Sequence, residues 1–282
     1  MSDIVYKNFA ISTPFLRGFK ELKIPVMDAG GNPAWPEVFP VPRIEQMRDT
    51  VGRRHFMSQM MLECGGLERV RLDPGALHFY DAEFDAAHAR IGDKRVTGAA
   101  LYWDPSGGRR KSDGSVCVLA FRDDTSHRAF IHDALYLRVD DNDAHPLAHQ
   151  CDMVLDFMTA RAMRRIAIET NGIGNALPEI MRDVASRRGA NIFVQKIVNN
   201  KNKESRILDA IEPLLSTGRL YAHARLKQTP LMSEMLGWSP IGATTHDDGL
   251  DAVAGALALT PYVIRPRGAA SQIFSANTNF KI

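Results

Sequence analysis

Acidic residues stand at three places where the neighbouring sequence is apolar. Two of them end strand-like apolar runs and the others open an alanine-rich, helix-like segment; they are Asp104, Glu169, and the group Asp247, Asp248 and Asp251. Carboxylates gathered at one place repel one another and are costly to desolvate unless a cation binds them. An all-oxygen ligand set suits Mg²⁺ or Mn²⁺ better than zinc. The residues therefore predict a site for Mg²⁺ or Mn²⁺, and two such ions can activate a water and stabilise the leaving oxygen of a phosphodiester.

The spacing within the last group separates its members. Asp248 and Asp251 are three residues apart and share one face of a helix, whereas Asp247 is turned roughly 100° away. We therefore predict that Asp248 and Asp251 join Asp104 and Glu169 as catalytic metal ligands, with Asp247 in reserve. Each residue also has a structural alternative, because an Asp before proline forms turns and an Asp before a helix caps it.

The elements that position these acids follow from hydrophobic periodicity. The pattern predicts strands at 96–103, 115–122, 129–139, 164–169, 191–198 and 219–223, and helices at 146–163, 174–188, 203–215, 231–236 and 246–259. This order predicts an α/β fold with a mixed central sheet flanked by helices and an antiparallel hairpin on one side. Parallel strands bring their carboxyl ends to one rim, where Asp104 and Glu169 would meet.

The two ends of the chain have a different composition from its middle. Six of the 15 prolines lie before residue 43, where they favour extended connections, followed by a predicted helix over 41–62. We predict an N-terminal linker segment at 1–65, a compact domain at 66–265 and a flexible polar tail at 266–282.

Charge and composition exclude several classes of protein. Lys and Arg total 35 and Asp and Glu total 33, so the balance is +2 and neither demands nor forbids a polyanionic partner. The sequence contains no apolar run of membrane-spanning length, and its three cysteines form no C-x-x-C pair. A membrane protein, a disulfide scaffold and a cysteine zinc site are therefore not expected.

Four segments in order resemble one family. LYWDPSGG, IAIETNGIG, KNKESRILDAIEPLLSTGRLY and HDDGLDAVAGAL are similar to the nuclease domain of the large terminase subunit of tailed bacteriophages. The upstream stretch WPEVFPVPRIEQMRDTVGRRHFMSQMMLE resembles the segment that joins the ATPase domain of that subunit to its nuclease, and residues 1 to about 40 resemble the trailing end of the ATPase domain. The likeness spans roughly residues 20 to 260.

The resemblance implies an RNase H-like fold and an endonuclease that cuts concatemeric double-stranded viral DNA in the host cytoplasm. It assigns the two-metal site to Asp104, Glu169 and the acids at Asp248 and Asp251. It also implies the terminase small subunit, the portal protein and the ATPase domain of the same subunit as partners. No G-x-x-x-x-G-K-[ST] phosphate loop occurs in the sequence, so no ATPase activity is expected from this chain.

Basic residues beside the predicted site are candidates for contacts with DNA phosphates. They lie in the loop of the first hairpin and around the start of the helix at 203–215: Arg109, Arg110, Lys111, Lys196, Lys201, Lys203 and Arg206. Such contacts give sequence-independent, salt-sensitive binding. In the same loop, Asp113 is a candidate for an additional metal ligand, and His246 is a candidate for orienting a carboxylate or a water.

Two other functions fit the same residues. A junction resolvase with the same fold would use the same acids on branched DNA. A non-catalytic module that docks on a portal or motor ring would use the acids only as helix caps and turn formers.

Overall fold

The computed structural model describes residues 23–28, 30–51, 56–62, 72–107, 114–240 and 247–264. In these ranges the helices are α1 Val41–Val51, α2 Pro146–Ala160, α3 Leu177–Arg187, α4 Lys203–Ser216, α5 Leu231–Gly237 and α6 Asp248–Ala258. The strands are β1 His78–Tyr80, β2 Phe84–Asp85, β3 Arg90–Ile91, β4 Lys94–Arg95, β5 Gly98–Asp104, β6 Ser115–Asp123, β7 Arg128–Leu137, β8 Arg165–Glu169, β9 Phe193–Ile197, β10 Leu220–His223 and β11 Tyr262–Val263. None of the helices described is both long and apolar enough to cross a membrane.

Eight of these strands form one mixed sheet. Their order is β1-β10-β7-β6-β5-β8-β9, and β11 pairs with the start of β5. Strands β5, β6 and β7 are antiparallel, whereas β8, β9, β10 and β1 join in parallel. The short strands β2, β3 and β4 form a separate antiparallel sheet.

The predicted α/β fold with a mixed sheet is confirmed, but the predicted place of the hairpin is wrong. The antiparallel strands lie in the middle of the sheet, not on one side of it. The reason is that both outer edges of the antiparallel group accept a parallel partner, β8 on β5 and β10 on β7. Of the helix predicted over 41–62, the structure describes Val41–Val51 as α-helix and Phe56–Met60 as a π-helical segment, and residues 52–55 lie outside the described residues.

Helices cover both faces of the sheet, and this explains the composition of the central strands. Helices α4, α5 and α6 pack on one face, and α2 and α3 pack on the other. Six residues of β5 are buried in succession, as expected for a strand covered on both sides. Asp104 follows them as the last residue of this strand, so the apolar run delivers a carboxylate to the sheet edge.

Candidate active site

Two of the predicted acids end neighbouring parallel strands. Strand β5 pairs with β8 through Tyr102 and Ala167 and through Trp103 and Ile168. The next residues in this register are Asp104 and Glu169, so strand pairing places them side by side at the carboxyl ends. Glu169 is buried, with 7% of its surface exposed.

Helix α6 brings a third acid to the same place. Asp251 lies in the first turn of α6 and is 5% exposed. Burial raises the pKa of Asp104 to about 8, and the negative charges of Asp251, Glu169 and Asp248 add to this effect in that order. The structure therefore brings together Asp104, Glu169 and Asp251, with Asp248 contributing least to the charge around Asp104.

Asp247 and Asp248 have separate contacts at the start of α6. The Asp248 Oδ2 accepts a hydrogen bond of 2.6 Å from the backbone N–H of Gly114, which ties the helix to the start of β6. Asp247 occupies the N-cap position but makes no capping hydrogen bond, so the capping alternative is not realised there. Its Oδ1 lies 2.6 Å from the Nζ of Lys203.

Two cations from α4 lie among the acids. The Arg206 guanidinium donates to Asp251 Oδ2 at 2.7 Å and to Glu169 Oε2 at 3.2 Å. Lys203 Nζ lies 3.6 Å from Asp248 Oδ1 and 3.8 Å from Asp251 Oδ2. The sequence pattern assigned both cations to DNA phosphates, whereas here they neutralise carboxylates of the site.

Two neutral side chains that sequence reasoning missed also bind Glu169. The hydroxyl of Tyr102 and the side-chain amide of Asn199 both donate to Glu169 Oε2, the amide at 2.8 Å. Tyr102 is part of a continuously apolar strand, which gives no sequence signal. Asn199 follows β9 in a polar stretch, and its position after a parallel strand was the available signal.

The remaining residues that the sequence predicts for the site are either exposed to solvent or outside the described residues. Lys196 on the edge strand β9 and Lys201 beyond its end are exposed to solvent. Five further candidates lie outside the described residues: Arg109, Arg110, Lys111, Asp113 and His246.

The chemistry of the carboxylates fits a hard divalent cation. Buried Asp251 Oδ1 has no hydrogen-bond partner among the described residues, and the hydrogen bonds recorded for Glu169 all fall on Oε2. Each carboxylate thus keeps an oxygen for a ligand, and oxygen is the donor that Mg²⁺ and Mn²⁺ prefer. Within the described ranges, no three His, Cys, Asp or Glu side chains already surround one point closely enough to hold an ion. Arg206 and Lys203 instead provide the neutralising charge.

The raised pKa of Asp104 predicts a pH-dependent stability difference. A folded-state pKa of about 8, above the ordinary value of 3.8, means that the folded protein favours the protonated carboxyl. The stability that this group contributes is full below pH 3.8 and is lost as the pH rises to about 8. Asp104→Asn removes this loss. In EDTA we expect the melting temperature of the variant to exceed that of the wild type increasingly from pH 5 to pH 8.5, by about 2–4 °C per kcal/mol.

Calorimetry of both proteins across this pH range measures the difference directly. Titrations that both proteins share, such as that of His132, cancel in the comparison. A difference in melting temperature that stays constant, or shrinks with rising pH, would contradict the placement of Asp104 among buried carboxylates.

Comparisons with known proteins agree with the resemblance seen in the sequence. Residues 104–220 match the family model described as the ribonuclease H-like domain of the bacteriophage T7 terminase. No curated protein gives a significant match.

Among solved structures, the P22 large terminase nuclease domain is 12% identical, with a TM-score of 0.46 over 68% of this chain and 91% of that one. The nuclease domain of the large terminase subunit of bacterial virus Sf6 is 13% identical, with a TM-score of 0.45 over 67% and 99%. The nuclease domain of the bacteriophage SPP1 large terminase, solved with bound Mn, is 16% identical, with a TM-score of 0.39 over 64% and 94%.

The segment matched by the family model begins at Asp104 and includes Glu169, Lys203 and Arg206, while Asp251 follows it in the chain. Over residues 104–220 the chain is therefore similar to the terminase RNase H-like domain.

Proposed function

We propose that this chain is the endonuclease domain of a viral DNA-packaging terminase and that it hydrolyses phosphodiesters of concatemeric double-stranded DNA. The observation that carries the proposal is the convergence of Asp104, Glu169 and Asp251 at one edge of the sheet, within and beside the segment that matches the terminase family. Three carboxylates from separate elements, two of them nearly inaccessible to solvent, are costly without a cation. A structural role would not require this arrangement.

The carboxylates of Asp104, Glu169, Asp251 and, at the rim, Asp248 would hold two divalent cations. When bound, these ions lower the pKa of an attacking water and stabilise the leaving oxygen of the phosphodiester. The rigid pairing of β5 with β8 fixes the backbones of Asp104 and Glu169 relative to each other. Asp251 offers its unpartnered Oδ1, and Arg206 holds the other oxygen of the same carboxylate.

The two cationic side chains of α4, Lys203 and Arg206, balance the charge of the acids in this proposal. Lys203 and Arg206 lie within 4 Å of four carboxylates in total, so they limit repulsion among the acids before a metal binds. They also add positive charge where the DNA phosphate would approach. The exposed Lys196 and Lys201 also contact the DNA backbone in this proposal, and Arg109, Arg110 and Lys111, which lie outside the described residues, are further candidates from the sequence. The proposed partners in packaging are the terminase small subunit, the portal protein and an ATPase domain, with no ATP hydrolysis by this chain.

A plasmid assay tests the proposed function. We expect the protein to nick and linearise supercoiled DNA in Mg²⁺ or Mn²⁺ and to leave it intact in EDTA. An Asp104→Asn variant purified in parallel controls for contaminating nuclease. Equal cutting by both proteins, or no cutting by the wild type in any divalent metal, would overturn the proposal. A strong preference for four-way junctions over linear duplex would favour the resolvase alternative.

The salt dependence of DNA binding tests the predicted phosphate contacts. Each phosphate that a lysine neutralises contributes about 0.9 to the slope of log K against log salt. The double variant Lys196→Ala, Lys201→Ala should therefore bind duplex DNA more weakly, with a slope smaller by about 2. Fluorescence anisotropy in EDTA measures the DNA affinity without cleavage. Salt concentrations from about 50 to 200 mM are suitable, because the affinity changes strongly over this range.

Lys94→Ala is the matched control, because Lys94 lies in the separate small sheet and pairs with its neighbour Asp93. Its slope should equal that of the wild type. If the double variant also keeps the wild-type slope, Lys196 and Lys201 do not contact phosphates.

A further inference from the structure

Glu169 is held from one side by two neutral hydrogen-bond donors, Tyr102 and Asn199. Tyr102 donates its hydroxyl to Glu169 Oε2, and the amide nitrogen of Asn199 lies 2.8 Å from the same oxygen. This nitrogen also lies 2.9 Å from the Tyr102 hydroxyl, so the three groups form a closed triangle.

The geometry of this triangle selects one carboxylate oxygen. Both neutral donors and Arg206 reach Oε2, and none of the described residues donates to Oε1. Three hydrogen bonds on one oxygen restrict rotation of the carboxylate, so Oε1 keeps a fixed direction relative to Asp104.

Tyr102 also contacts each of the three elements that carry the acids. It lies on β5 two residues before Asp104, and it pairs with Ala167 on β8. Its ring packs against Gly255 of α6, where a Cβ would come within 2.3 Å of the ring. Gly255 lies one turn after Asp251 on the same helix. The tyrosine is 1% exposed, so its position is fixed by packing as well as by hydrogen bonds.

Asn199 is placed by a second set of contacts. It follows β9, the strand next to β8. Its backbone carbonyl accepts a hydrogen bond of 2.7 Å from the side chain of Asn171, which lies two residues after Glu169. The amide of Asn199 is therefore tied to the same segment whose carboxylate it binds.

We propose that Tyr102 and Asn199 are positioning residues for metal binding: they hold Glu169 by Oε2 so that Oε1 faces a divalent cation. The inference rests on the proposed nuclease function and deepens it. Groups that orient a metal ligand change metal affinity by about 10- to 100-fold when they are removed. Removal of the Tyr102 hydroxyl or the Asn199 amide should therefore weaken metal binding and leave DNA binding unchanged.

The test measures Mn²⁺ binding in the absence of DNA. The electron paramagnetic resonance signal of free Mn²⁺ reports how much of the ion is unbound. Tyr102→Phe keeps the ring that packs on Gly255 and removes only the hydroxyl. Asn199→Ala removes the second donor. We expect each variant to bind Mn²⁺ about 10-fold more weakly and the double variant up to about 100-fold more weakly. The metal concentration needed for half-maximal plasmid cleavage should rise in parallel, while the Kd for DNA in EDTA stays unchanged.

Tyr221→Phe is the matched control, because Tyr221 lies on β10 away from the acids and its hydroxyl makes no hydrogen bond recorded among the described residues. It should bind Mn²⁺ like the wild type. Melting temperatures in EDTA identify a variant that is unfolded. If folded Tyr102→Phe and Asn199→Ala bind Mn²⁺ like the wild type, the positioning role is wrong while the nuclease proposal stands. If the wild type itself neither binds Mn²⁺ nor cuts DNA, the proposed function fails and this inference fails with it.

Discussion

Replacing Asp104 with asparagine is expected to lower metal-dependent DNA cleavage by about 1,000-fold. Asparagine keeps the size of the side chain but removes the negative charge that a metal ion requires. Metal ions supply several kcal/mol of transition-state stabilisation, and about 4 kcal/mol corresponds to this factor. No hydrogen bond to the Asp104 side chain is found among the described residues, so the main polar interaction lost within them is the attraction of Lys203 for the carboxylate. Single-turnover cleavage of a labelled duplex in saturating Mg²⁺ measures the loss.

Asp93→Asn is the matched control for this experiment. Asp93 is an exposed acid beside the small sheet, and its side chain pairs with the adjacent Lys94. Its removal should leave the cleavage rate within about 2-fold of the wild type, because isolated surface pairs contribute little. A cleavage rate of Asp104→Asn close to that of Asp93→Asn would exclude Asp104 as a metal ligand.

The main sheet was predictable wherever a strand is long and buried on both faces. Strands β5, β6 and β8 are apolar runs that end in polar turns, and their observed bounds lie within a residue or two of those expected. Strand β1 was missed because it has only three residues and depends on parallel pairing with β10, more than 130 residues away. The two-residue strands β2, β3 and β4 are also too short to show a period.

The candidate site was predictable to the level of residue type and strand end. Asp104 and Glu169 were identifiable because a charge at the end of an apolar strand has few structural reasons to be there. Tyr102 could not be identified from the sequence, because an aromatic residue in a buried strand is typical of the hydrophobic core. The pairing of Arg206 with Asp251 was equally hidden, since it depends on how α4 packs against α6 and not on any spacing within one element.

Gly174 in the turn after Glu169 is expected to be the most sensitive glycine beside the site. The 3₁₀ turn Gly172–Asn175 folds back onto the end of β8. A Cβ at Gly174 would lie 2.0 Å from the backbone oxygen of Glu169 and 3.0 Å from the Cγ of Pro105. The first of these is backbone and is held in the sheet, so it cannot move aside. Gly174→Ala should therefore lower the free energy of unfolding by about 3 kcal/mol, near the upper end for overpacking, and displace Glu169 from Asp104.

Gly172→Ala separates this steric effect from backbone strain in the same turn. Gly172 has a φ of +58°, but a Cβ there would meet nothing within 4 Å. Its replacement should cost only about 1–2 kcal/mol, the ordinary penalty of a left-handed conformation. Urea unfolding followed by circular dichroism compares the two variants. If Gly174→Ala unfolds at the same or a higher urea concentration than Gly172→Ala, then the turn does not pack against Glu169 as described. In that case, the close approach of the segments that carry Asp104 and Glu169 would need another cause.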